Sequence, residues 1–218
     1  MKTTWINNGQ KNIIVYFAGW GSSPETVAHL VVPPEYDVLI CYDFRDLKLD
    51  FDFSIYRQIR LVAWSMGVWV ATQVMQNLPL ISAVAINGTL RPCNDEFGIP
   101  KAIFQGTLDN LNESNLVKFQ RRICGDRQLS EQYRQMTVSR QLPEIHQELT
   151  ALYQAMQQPD LAVVQWTGTI ICQQDRIFPA ENQQRFWQGY FAARPGAIRL
   201  LDLPHYPFHQ FNDWLQLC

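Results

Sequence analysis

No stretch of this chain approaches the length of apolar residues that a bilayer core demands. The opening Met1-Lys2-Thr3-Thr4-Trp5 also lacks the apolar centre of a secretory signal, so a cytoplasmic protein with no membrane partner is expected. CxxC pairs are absent. The five cysteines (Cys41, Cys93, Cys124, Cys172, Cys218) are odd in number and scattered, which argues against a structural zinc site and against a disulfide framework. Neither a metal nor a cofactor is expected. An excess of one charge is missing as well: a net charge of -2 over 218 residues leaves no electrostatic footprint for nucleic acid. Internal repeats and low-complexity tracts do not occur. What the chain does have is 47% hydrophobic residues, enough for one domain with a sizeable core.

Those residues come in short runs. Asn12–Ala18, Tyr36–Tyr42, Ile59–Trp64, Val84–Asn87, Gly168–Cys172 and Ala197–Leu201 are mainly apolar and rich in β-branched side chains. Continuous rather than alternating hydrophobicity indicates strands covered on both faces, hence a mainly parallel sheet with crossover helices. Helical spacing fits Met66 to Asn77 and Ala180 to Tyr190. The order is doubly wound α/β. Between the fourth and fifth runs lie roughly eighty residues, far more than one crossover requires. Composition there shifts to glutamine and arginine with helical apolar spacing (Leu116, Phe119, Ile123; Leu149, Leu152, Met156). A helical lid over residues 108–158 is therefore expected, inserted into a core of residues 1–107 and 159–218.

The most informative segment is Leu61-Val62-Ala63-Trp64-Ser65-Met66-Gly67-Val68-Trp69-Val70-Ala71. An apolar strand meets a serine flanked at minus two and plus two by very small residues, and an amphipathic helix follows. This is the layout of the nucleophile elbow of an α/β hydrolase, with Ala63 where glycine is usual. A serine hydroxyl needs a base, and the base needs an acid to fix its tautomer. Both follow in the order this fold requires. Asp175 lies just past the fifth strand run and His205 just past the sixth; His209 is a rival four residues on, while His29 and His146 are out of place. Asp175 could also cap the helix beginning near Pro179. Cys172 lies within a strand, not on a turn, and is not expected to be a nucleophile. The backbone N–H groups of Met66 and of Trp20, in Ala18-Gly19-Trp20-Gly21-Ser22, are the candidate oxyanion donors. The Trp20 ring would then wall the pocket.

Ala18-Gly19-Trp20-Gly21, Leu39-Ile40-Cys41-Tyr42-Asp43-Phe44-Arg45-Asp46-Leu47 and the elbow together resemble the BioG-type pimeloyl-acyl-carrier-protein methyl ester esterases of biotin synthesis. The likeness extends over nearly the whole chain. His205-Tyr206-Pro207-Phe208 is similar to the His-Ala-Pro-Phe of the related BioH-type esterases, which favours His205 over His209. The resemblance implies a serine esterase of compact α/β-hydrolase fold, hydrolysing the methyl ester of pimeloyl-acyl-carrier protein with Ser65, His205 and Asp175 and releasing methanol. A general carboxylesterase or an acyl thioesterase would use the same three residues. An acyl-carrier protein as partner and a monomeric enzyme are implied. Between Leu116 and Arg140, six basic residues (Lys118, Arg121, Arg122, Arg127, Arg134, Arg140) face two acids, Asp126 and Glu131. Lys118, Arg121, Arg122 and Arg127 are the residues expected to meet the acidic carrier protein and its phosphopantetheine. Trp64, Trp69 and Phe178 are expected mainly to fill core, and Tyr42 and Asp43 either to end a strand or to touch the distal ester.

Overall fold

The computed structural model describes residues 1–158 and 164–218. Within these residues, seven strands form one open sheet: β1 (Lys2–Ile6), β2 (Asn12–Phe17), β3 (Tyr36–Tyr42), β4 (Gln58–Trp64), β5 (Leu80–Ile86), β6 (Gly168–Cys172) and β7 (Ile198–Leu201). Their order is β1-β3-β2-β4-β5-β6-β7, and every pair is parallel except β1 with β3. Five of the six β2 residues are fully buried, as their apolar run requires of a strand covered on both faces. Strand β1 lies outside the apolar runs. Lys2-Thr3-Thr4-Trp5-Ile6 carries too many polar side chains to read as a buried strand, because it forms a half-exposed sheet edge.

Among the described residues, six α-helices accompany the sheet: α1 (Met66–Val74), α2 (Lys101–Asp109), α3 (Glu113–Cys124), α4 (Arg127–Met136), α5 (Leu142–Ala155) and α6 (Ala180–Tyr190). Helices α2 to α5 are all inserted between β5 and β6. The insertion is thus already helical at Lys101, before Leu108. At its other end, the 158/159 boundary borders residues 159–163, which lie outside the described residues. Asn112 and Asp126 cap α3 and α4, their side chains accepting the N–H groups of Asn115 and Leu129. Ile123, Leu149 and Leu152 are buried, while Leu116 and Phe119 are half-buried. No helix among the described residues is long and apolar enough to cross a membrane.

Register decides where a site can form. Phe17 pairs with Cys41 on one side and Ala63 on the other, so β2, β3 and β4 end level with one another. The chain leaves β2 toward β3 and then crosses back to place β4 on the opposite flank. This is the point where strand order reverses, and the crevice beyond the carboxyl ends is where open α/β sheets bind ligands. Gly19–Trp20 emerges on one side of that crevice and Ser65 on the other.

Candidate active site

Ser65 joins β4 to α1 with φ 58 and ψ -126, a backbone conformation that L-residues adopt only under constraint. The surroundings explain the small residues. A Cβ on Gly67 would lie 2.3 Å from the Ala18 carbonyl oxygen and 2.5 Å from that of Phe17. One on Gly88 would lie 2.3 Å from the Ser65 carbonyl oxygen. Ala63, fully buried between Phe17 and Ala85, needs to be small but not to be glycine. The turn therefore presents the Ser65 side chain at the carboxyl edge of the sheet.

His205 and Asp175 complete a chain of hydrogen bonds. His205 Nε2 lies 2.9 Å from Ser65 Oγ, and His205 Nδ1 lies 2.7 Å from Asp175 Oδ2. The carboxylate assigns the ring proton to Nδ1 and leaves Nε2 free to accept the serine proton. All three side chains are buried. Asp175 Oδ1 accepts the N–H groups of Ile177 (2.7 Å) and Phe178 (2.9 Å), so it organises the turn before α6 as well as facing the imidazole. His209 instead directs Nδ1 to the Tyr206 carbonyl, and burial holds its pKa below the usual imidazole value. His29 meets the Phe208 carbonyl, and His146 is exposed on α5. Burial raises the Cys172 thiol to about 12, too high for a nucleophile at neutral pH.

Four supports were not anticipated as such. The Trp64 indole donates to the His205 carbonyl oxygen at 2.8 Å, and its ring packs 5.3 Å from the imidazole. Asn87 Nδ2 donates to the same carbonyl at 2.9 Å, while Asn87 Oδ1 accepts the Cys172 N–H. Phe178 stacks on His205 with an interplanar angle of 5°. Gln183 Nε2 donates to Asp175 Oδ2 at 3.0 Å. Only Asn87 carries a sequence signal, a polar residue closing an apolar strand just before a glycine.

A narrow cleft opens onto Ser65 and His205. Its walls include Trp20, Met66, Phe104, Phe119, Ile123 and Leu149, and the space free to a water-sized sphere is about 50 Å³. Neither the Trp20 nor the Met66 backbone N–H meets a protein acceptor among the described residues. The Trp20 ring does wall the cleft, packing 4.9 Å from Phe119, and its Nε1 donates to the Ile145 carbonyl. Arg122 and Arg176 stand at the cleft margin. Lys118, Arg121, Arg122 and Arg127 are all exposed on α3 and at the start of α4. Arg140, counted with them in the basic segment, is instead buried against Glu148 at 2.7 Å. Trp69 is buried, and Asp43 ion-pairs with Arg45 at 2.7 Å. Burial alone would raise the Asp43 carboxyl, but hydrogen bonds from Arg45 and Lys2 hold it below its usual value.

Set beside known proteins, the whole arrangement has a family. The sequence profile described as pimeloyl-ACP methyl esterase BioG matches residues 1–217. The chain belongs to the BioG family. It superposes on the crystal structure of selenomethionyl BioG from Haemophilus influenzae with a TM-score of 0.93, at 49% identity, covering 100% of this chain and 99% of that one. A malonyl-[acyl-carrier protein] O-methyltransferase from Bacteroides fragilis is 44% identical over 186 residues, 83% of this chain but 37% of that longer protein. A lipase-esterase related protein from Clostridium acetobutylicum shares only the fold, with a TM-score of 0.60 at 14% identity, covering 94% of this chain and 92% of that one. This BioG-family chain is an enzyme of hydrolase type on an α/β-hydrolase fold.

The tightness of the elbow is testable. Gly67→Ala drives a methyl group into two backbone carbonyls, so it should destabilise the fold by about 2–3 kcal/mol. In thermal unfolding that is a Tm loss of roughly 5–10 °C. A Tm within error of wild type would mean that the turn is looser than its geometry indicates.

Proposed function

We propose that this BioG-family enzyme hydrolyses the methyl ester of pimeloyl-acyl-carrier protein, with Ser65 as nucleophile, His205 as base and acid, and Asp175 as the group that orients His205. The observation that carries the reading is the pair of hydrogen bonds, 2.9 and 2.7 Å, that converges on a strained serine in a family of pimeloyl-ACP methyl esterases. Ser65 Oγ attacks the ester carbonyl carbon while His205 Nε2 takes its proton. The carbonyl oxygen becomes an oxyanion that accepts the N–H groups of Met66 and Trp20. The intermediate collapses, the bond to the methoxy oxygen breaks, and His205 returns the proton so that methanol leaves. Water, deprotonated by His205, then attacks the acyl-serine, releasing pimeloyl-carrier protein and regenerating Ser65. General acid–base catalysis of this kind contributes about 10²–10⁴-fold, and each oxyanion donor a further ~10²–10³-fold.

The apolar walls of the cleft suit a methylene chain, and the methyltransferase name of the Bacteroides fragilis relative fits chemistry on carrier-bound acyl groups. Within this reading the helical insertion serves as the lid. Exposed Lys118, Arg121, Arg122 and Arg127 supply guanidinium and ammonium groups suited to an acidic carrier protein and a phosphate.

Methanol release from methyl-pimeloyl-carrier protein tests the chemistry. Wild type should turn over with the thioester intact, and Ser65→Ala should lose about 10⁴-fold or more in kcat. Cleavage of short model esters without methanol release from the carrier-bound ester would leave a general carboxylesterase; thioester cleavage would make it a thioesterase. Docking is tested separately by reversing charge at Arg121 and Arg127, away from the cleft walls. KM for the carrier-bound ester should rise about tenfold or more while a small ester is unaffected. Equal losses on both substrates would remove the docking role.

A further inference from the structure

Glu148 is fully buried, yet it is carried by α5 in the helical insertion and reaches the ends of two central strands. Its Oε1 accepts the Phe44 N–H at 2.9 Å, just beyond β3. Its Oε2 accepts the Gly21 N–H at 3.1 Å and Arg140 Nη2 at 2.7 Å. Arg140, also buried, donates from Nη1 to the Ser22 carbonyl at 2.6 Å and stands 3.6 Å from Asp43 Oδ1. One turn before Glu148, the Ile145 carbonyl accepts the Trp20 indole N–H at 2.8 Å. Three successive residues after β2 are therefore tied to the insertion: Trp20 by its side chain, Gly21 by its N–H and Ser22 by its carbonyl.

This turn holds one of the two oxyanion donors. The Trp20 N–H directly precedes the peptide that Glu148 anchors. Gly21 has φ +69, so no side chain stiffens the turn locally, and its geometry depends on outside contacts. Burial raises the Glu148 carboxyl, whereas Arg140 and the two backbone N–H groups favour its charged form. A buried ion pair is weak evidence for stability, since an apolar replacement of equal volume often does as well. Here the charges also satisfy backbone groups that no apolar side chain could.

We propose that Glu148, with Arg140, is a positioning residue that sets the Trp20 N–H for the developing oxyanion, so that the insertion forms part of the catalytic support and not merely a cover. The inference rests on the serine-esterase reading above. Positioning of this kind acts on the transition state far more than on the bound ester.

Glu148→Gln keeps the volume but turns an amide NH₂ against one of the donors that the carboxylate now accepts. On a small methyl ester, kcat should fall about 10–100-fold with KM within about threefold of wild type. Affinity for an alkyl trifluoromethyl ketone, which adds to Ser65 and creates an oxyanion, should fall in parallel. Arg140→Lys, unable to span both the carboxylate and the Ser22 carbonyl, should show a smaller loss of the same kind. Active-site titration with a fluorophosphonate and circular dichroism count the folded, reactive molecules. Wild-type kcat and inhibitor affinity in either folded variant overturn the proposal, as does a change confined to KM. If neither variant folds, the network serves stability alone and the proposal is likewise overturned. If fluorophosphonate leaves Ser65 of the wild type unlabelled, it is the parent reading that fails.

Discussion

The close approach of α1 to the β2 carboxyl end is the constraint on which the rest of the structure depends. Position 67 sits so near the Phe17 and Ala18 carbonyls that only hydrogen fits there, and Gly88 is pressed against the Ser65 carbonyl in the same way. With neighbours this close, the chain cannot relax Ser65 out of its φ of 58. Such a residue costs of order 1–3 kcal/mol, sustained only where the surroundings over-determine it. Here they do: Val62, Ala63, Val68, Val70 and Ala71 on either side are all fully buried. The strain has a geometric return. It aims Oγ outward at the sheet's edge and leaves the Met66 N–H, at the start of α1 beside the same point, without a protein acceptor among the described residues.

Around that fixed serine, the imidazole is held from several directions. The backbone carbonyl of His205 accepts two donors, the Trp64 indole and the Asn87 amide, which fixes the loop rather than the ring. Phe178 covers one ring face, and Asp175 fixes the tautomer. Asp175 is itself saturated by the Ile177 and Phe178 N–H groups, Gln183 and His205. The Tyr206 N–H donates to the Ile123 carbonyl of α3, so the insertion also touches the histidine loop. On the serine-esterase reading, groups this well satisfied need little reorganisation, which is how fixed dipoles gain their catalytic effect.

The sheet strands were legible because their hydrophobicity is continuous, and the elbow because its small residues follow from a steric rule readable at fixed spacing. The order serine, aspartate, histidine could be read because topology forces each group to a strand end. Asn87 and Gln183 were not legible as supports, since their meaning lies in partners about 85–120 residues and 8 residues away respectively. β1 escaped because an edge strand need not be apolar on both faces. The burial of Arg140 was not legible for a related reason. In sequence it belongs to an arginine-rich helical segment, but whether a guanidinium faces solvent or a buried carboxylate depends on Glu148, eight residues on, and on strand ends more than ninety residues back.

The placement of those buried charges follows from the backbone itself. A chain that turns sharply after β2 and again after β3 frees the Gly21 and Phe44 N–H groups and the Ser22 carbonyl, none of which points at another. Left unpaired in a dry interior, each would cost about 1–3 kcal/mol. One carboxylate can accept from two separate N–H groups while a guanidinium forks between that carboxylate and a carbonyl, so a single Glu–Arg pair satisfies all three. No neutral pair of side chains offers as many acceptors and donors in the same volume. Both members of the pair come from outside the sheet, since β2 and β3 lie side by side and end level with one another. The insertion is the source, Glu148 coming from α5 and Arg140 from the turn before it. Irregular loops at the strand ends thus call for the same buried charges that tie the insertion to the turn after β2.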